Sequence, residues 1–218
     1  MKKTKDDLGS TIDGEDNLAR MILIEQAIDA AYEIDEDVSR SYAFCDCIIG
    51  IVEFARESNN EEVLQRIHPL LEEINNKGAY VRAQSAYSLV AASFGRIEES
   101  IQVLEEAIKN AQLIKDDFDK RDALLDLATS AADIALITDN SNLTELAMTL
   151  ANELTKGQRA YLYGYLSTLK GEEDDESKSL MREAVSITDE ITDPITRSKV
   201  FLELASLFSN EPSKYEMD

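Results

Sequence analysis

Apolar side chains recur along this chain at spacings of three and four residues. Behind Arg40 they fall at offsets of four, seven, eight and eleven, as Phe44, Cys47, Ile48 and Ile51. Behind Lys120 the same offsets hold Leu124, Leu127, Ala128 and Ala131, and behind Arg197 they hold Phe201, Leu204, Ala205 and Phe208. Those offsets lie on one face of a helix. Arg82 heads a weaker copy, Ala86, Leu89, Val90 and Ser93, and Arg159 the weakest, Tyr163, Leu166, Ser167 and Lys170. The five heads are spaced by 38 to 42 residues. A second stripe precedes the three strong copies: Ile24, Ala27 and Ile34, then Leu104, Ala107 and Ile114, then Met181, Ala184 and Ile191.

Punctuation divides the pattern into elements. Asp193 before Pro194 reads as a helix start, a polar cap followed by the residue best tolerated in the first turn. Asn75-Asn76-Lys77-Gly78 and Lys156-Gly157 read as helix stops with glycine free to cap in the left-handed region. The spacing predicts ten helices, roughly 16–34, 39–57, 60–76, 79–94, 97–115, 118–137, 141–155, 158–169, 173–190 and 194–210. Connections this short make neighbours antiparallel, and one hairpin cannot bury its apolar face alone. The predicted fold is therefore all-α, an α-α superhelix or solenoid of about five antiparallel helix-hairpin repeats of 38–42 residues over 16–210. Residues 1–15 form a polar, flexible N-terminal arm in this reading, and 211–218 a tail.

Composition supports helices: 44% of residues are hydrophobic, with eight glycines, three prolines and no tryptophan among 218. Forty-four acidic residues against 22 basic ones give a formal charge of −22, which repels nucleic acid and anionic membrane surfaces. Neither is expected as a partner; a basic protein or peptide, or a salty cytoplasm, suits the chain better. Cys45 and Cys47 stand two apart on a predicted helix, facing different ways, so they read as buried small side chains and not as a bridge. With His68 they fall short of a zinc site. No apolar stretch reads as a signal or membrane span, so a cytoplasmic location is expected. No phosphate-binding loop, zincin motif or nucleophile elbow occurs, and no cofactor, metal or catalytic residue is assigned.

The stretch from Gly95 to Ile108 resembles the tetratricopeptide repeat, with Gly95, Ser100, Leu104 and Ala107 at that family's spacing. The first-helix stripes are similar to the family's too. The period here exceeds that family's, which is about 34 residues, and HEAT-type repeats are the neighbouring alternative. The resemblance implies a binding groove lined by the first helix of each pair, at Tyr42, Gln84, Tyr87, Asp122 and Tyr161. Tyr161 and Tyr165 share one helix face, while Tyr163 falls on the core face.

The heads Arg40, Arg82, Lys120, Arg159 and Arg197 are unusual, because a cation near a helix N-terminus opposes the helix dipole. Nearby acids offer structural ion pairs; alternatively the heads form a basic ladder along one edge that holds an acidic peptide. Pro69 after His68 should kink the third helix or mark its real start. Glu172 to Glu176 is an acidic run suited to the start of the ninth helix. The expected function is a protein-binding or peptide-binding scaffold without catalytic activity. The alternatives are a helical-array enzyme or small-ligand protein with an acid- and tyrosine-lined pocket, and an oligomerisation module. The last would form a homodimer through Phe201, Leu204 and Phe208.

Overall fold

The computed structural model describes the backbone of residues 5–170 and 174–209 and the side chains of 16–170 and 174–207. Its described residues form α1 (Lys5–Tyr32), α2 (Asp37–Ser58), a 3-10 turn (Glu61–Arg66) running into α3 (Ile67–Glu72), and α4 (Lys77–Ser93). There follow α5 (Ile97–Ala111), α6 (Asp117–Thr138), α7 (Ser141–Leu150), α8 (Lys156–Leu169), α9 (Asp175–Asp189) and α10 (Pro194–Ser209). The fold is all-α, a helical array in which helices pack as neighbouring pairs. The side chains of the arm expected over 1–15, the tail over 211–218 and the acids Glu172 and Glu173 lie outside the described residues. Within the acidic run, Asp174 caps α9 by accepting from the backbone N–H of Glu176 and Ser177.

The chain divides after Leu113 into two compact units. In the first, α1 packs on α2, α2 on α4, and α4 on α5. In the second, α6 packs on α7 and α8, and α8 on α9 and α10. Paired helices run antiparallel: Lys120 at the start of α6 meets Glu153 beyond the end of α7 at 3.1 Å, and Lys156 at the start of α8 meets Glu190 at the end of α9 at 2.9 Å. Phe44, Ile48, Ile51, Leu64 and Ile67 are buried in the first unit, and Ala160, Ala184, Val200 and Leu204 form a core cluster in the second.

Each first helix of a pair starts on a polar side chain. Glu36, Asn76, Asp116, Thr155 and Asp193 accept hydrogen bonds from backbone N–H groups two or three residues on, satisfying donors that the helix itself cannot. The caps lie at intervals of 40, 40, 39 and 38 residues. This register corrects two expectations. Asn76 and Thr155 begin helices, so Gly78 and Gly157 sit in first turns and not at stops; a Cβ on Gly157 would lie 3.1 Å from Val200 Cγ2. The residue four beyond each cap is Arg40, Tyr80, Lys120, Arg159 and Arg197, so Tyr80, not Arg82, heads the second copy. Counted from Tyr80, the four apolar-face positions hold Gln84, Tyr87, Ser88 and Ala91, all buried. Polar side chains at the buried positions hid this copy from an apolar-spacing search.

Gly95 takes φ +77° in the turn between α4 and α5, a conformation that costs glycine little, and Ser100, Leu104 and Ala107 behind it are fully buried. Pro69 stands in the first turn of α3, where a missing N–H breaks no bond; the proline thus marks a start. Ser167 continues the weak fourth stripe as a buried residue whose hydroxyl donates to Gly164 O at 2.6 Å, and Lys170 lies past the last residue of α8.

Candidate functional site

Two residues beyond the heads, the first helices of each unit present their own row of partly or fully exposed side chains: Tyr42 and Arg82 in the first unit, and Asp122, Tyr161 and Lys199 in the second. Four residues further on, Asp126, Tyr165 and Glu203 follow on the same face of α6, α8 and α10. The second unit turns these into one polar, aromatic surface. Gln158, which closes the Thr155 capping box, uses its amide Nε2–H to donate to Asp122 Oδ1 at 2.8 Å. Tyr165 donates its O–H to Asp133 Oδ1 at 2.5 Å. The rings of Tyr161 and Tyr165 lie nearly parallel, 12° apart in plane and 6.4 Å between centroids. Burial, then the carboxylates of Glu203 and Asp133, push the Tyr161 hydroxyl pKa above its ordinary value. Lys199 is drawn to Glu203 at 3.6 Å. The face is thus acidic, with two half-buried aromatic rings fixed side by side.

The first unit holds a different arrangement. Tyr87 and Gln84, expected on the groove, are 1% and 3% exposed; two residues of register separate them from the exposed row. Gln84 accepts from Asn110 of α5 at 3.1 Å. Tyr87 donates its O–H to Glu99 Oε1 at 2.5 Å, and Arg96 holds the other oxygen of Glu99 at 2.5 Å. His68 Nε2 lies 3.4 Å from the Tyr87 hydroxyl, its ring edge-on to the tyrosine at 5.3 Å. Burial first, then the hydrogen bond and charge of Glu99, push the Tyr87 pKa up to about 12. The cluster ties α3, α4 and α5 together at the floor of a cleft of about 450 Å³ lined also by Glu61, Glu62 and Gln65.

The basic heads are placed unequally. Arg40 donates to the Ile34 carbonyl at 3.1 Å and pairs with Asp37, and Lys120 pairs with Glu153. Arg159 is half-buried, close enough to Glu190 to lower that carboxyl's pKa after the larger effect of Lys156. Arg197 is half-exposed at the start of α10, and Arg82 stands outside the head register on the exposed row. Tyr163 packs against the core, as its spacing predicted. Cys45 and Cys47 are buried thiols with no disulfide between them. No helix among the described residues is long and apolar enough to cross a membrane. No protein-family model, no curated protein and no solved structure matches the chain.

Proposed function

We infer that the chain is a non-catalytic peptide-binding scaffold, tetratricopeptide-like in design, whose acidic face on α6 and α8 takes a basic segment of a partner protein. One observation carries this reading: the stacked Tyr161 and Tyr165 lie among the carboxylates of Asp133 and Glu203, with Asp122 tied to Gln158 one turn before Tyr161 on α8. Carboxylates attract Lys and Arg along the peptide, and a tyrosine face accepts a cation or an apolar stem. The formal charge of −22 favours the same partner and repels an acidic one. Buried thiols suit a reducing cytoplasm, where such a scaffold would work.

A fluorescence-anisotropy titration with labelled Lys/Arg-rich and Glu/Asp-rich peptides of equal length tests this. The basic peptide binds, more weakly as salt is raised, and Tyr161→Ala with Tyr165→Ala weakens it by about tenfold, the order of one aromatic anchor. Equal affinity for both peptides, or no effect of the double substitution, contradicts the proposal. The cleft above Tyr87 supports a small-ligand reading instead; a Tyr87→Phe change that abolished a metabolite-induced rise in melting temperature would favour it.

A further inference from the structure

The regular register allows each helix to be compared with its counterparts, and two helices differ from the rest. Position four beyond the head is Phe44, Gln84 and Leu124 on α2, α4 and α6, each at most 3% exposed, and on α8 the partly buried Tyr163, which packs on the core; on α10 it is Phe201, 37% exposed. The bond from Gln84 to Asn110 shows what covers this position, namely the second helix of the same pair. Position five holds buried Cys45, Ser85 and Gly164 and the partly buried Leu125, yet Leu202 on α10 is 70% exposed. At the other side of the register stands α1, a helix of the second kind. Ala107, Ala147 and Ala184 of α5, α7 and α9 are fully buried, whereas their counterpart Ala27 is exposed. Among the described residues, α10 has no second helix and α1 no first helix.

The uncovered faces are counterparts in the register. An apolar groove of about 490 Å³ runs between α1 and α2, lined by Ile24 and Ala27 on one side and Ala43, Cys47 and Gly50 on the other. On α10 the counterparts of Ala43, Cys47 and Gly50 are Val200, Leu204 and Leu207, and those pack onto α8, meeting Gly157 and Gly164. The groove is therefore the seat of a preceding first helix.

They match in charge as well. In both second-unit hairpins a cation at the start of the first helix meets an acid at the end of the second, Lys120 with Glu153 and Lys156 with Glu190. Those acids lie six residues beyond Ala147 and Ala184. Six beyond Ala27 is Glu33, exposed, and Lys120's counterpart on α10 is Arg197. Neither Glu33 nor Arg197 has a side-chain partner among the described residues.

We propose that α10 of one copy of this chain docks in the α1/α2 groove of a second copy, completing a hairpin between molecules. Phe201 and Leu202 become covered, and Arg197 meets Glu33. The interface joins two different surfaces, so docking repeats from copy to copy and ends in a closed ring or an open string.

Sedimentation velocity on the full chain, from micromolar to millimolar concentration, tests this with Leu202→Glu and Ala27→Glu. Both side chains are exposed in the single chain, so both variants should keep the wild-type helical content and melting temperature. Wild type associates with rising concentration, and each variant alone is monomeric. Their equimolar mixture forms one-to-one dimers and stops there, because one partner keeps an intact groove and the other an intact α10. Glu33→Arg or Arg197→Glu weakens wild-type association, and both changes in one chain restore it. A wild type monomeric throughout, self-association retained by either groove or α10 variant alone, or a mixture that stays monomeric overturns the proposal.

Discussion

Single side chains decide how closely the helices approach. Ser41 is buried, donates to Asp37 O, and accepts from the backbone N–H of both Asn75 and Asn76 at 3.1 Å; it fastens the loop before α4 onto α2. Removing that acceptor strands two amides, so Ser41→Ala should cost about 1–3 kcal/mol in urea unfolding. A Cβ on Gly164 would lie 2.4 Å from Leu204 Cδ2 and 3.1 Å from Leu207 Cδ1, whereas one on Gly50 meets nothing within 4 Å. Gly164→Val should therefore destabilise by about 1–3 kcal/mol through overpacking, while Gly50→Ala stabilises by roughly 0.5–1 kcal/mol by restricting the unfolded chain. The same urea titrations check both signs. Tyr87, with its pKa pushed up to about 12, ionises later when folded than when unfolded. Its contribution is whole below pH 10 and falls away as pH rises towards 12, a loss that Tyr87→Phe should not show in alkaline melting curves. None of these roles was legible beforehand, since a serine, a glycine and a tyrosine carry no periodic signal of their own.

Element boundaries were largely legible, because the apolar stripe and the polar caps mark the same helices independently. Strong stripes at Phe44 and Leu124 placed α2 and α6 within a few residues of their observed ends. The register slipped where the core turns polar: Gln84 and Ser88 occupy buried positions on α4, and a search for apolar spacing moved to Arg82. The fault carried into the groove, sending Gln84 and Tyr87 to a surface they do not reach. On α10 the register held, but the face expected to join a second copy included Leu204, which is buried against α8, and Phe208, whose side chain lies outside the described residues. Caps would have fixed the register. Asn76→Ala and Asp116→Ala should each cost about 1 kcal/mol of stability, where alanine at neighbouring Lys77 or Asp117 costs less. Hydrogen bonds from Thr196 hold the Asp193 carboxyl below its ordinary pKa of 3.8. The cap's contribution is then complete above that value and lost as pH falls through the lower, folded one. Asp193→Asn, which caps without titrating, should lose less stability between pH 5 and pH 2.

At the scale of the whole molecule, net charge is a sum over the sequence, whereas the placement of the charges depends on the fold. A formal −22 repels anionic surfaces; it does not say that Asp133 accepts from Tyr165 or that Tyr161 stacks beside it. Sequence reading did pair Tyr161 with Tyr165, because four residues separate them on one helix. It could not see Gln158 and Asp122 joining α8 to α6, a contact between residues 36 apart. Attraction across such a face is screened by salt over about 10 Å at 0.1 M, so affinity for a basic peptide should fall steadily as salt is raised. The most direct test is backbone amide chemical-shift mapping of the full chain titrated with an unlabelled Lys/Arg-rich peptide. Saturable shifts centred on Asp122, Asp126, Tyr161 and Tyr165 are expected. Shifts absent there, or confined to the cleft around His68 and Tyr87, would contradict basic-peptide binding at that face.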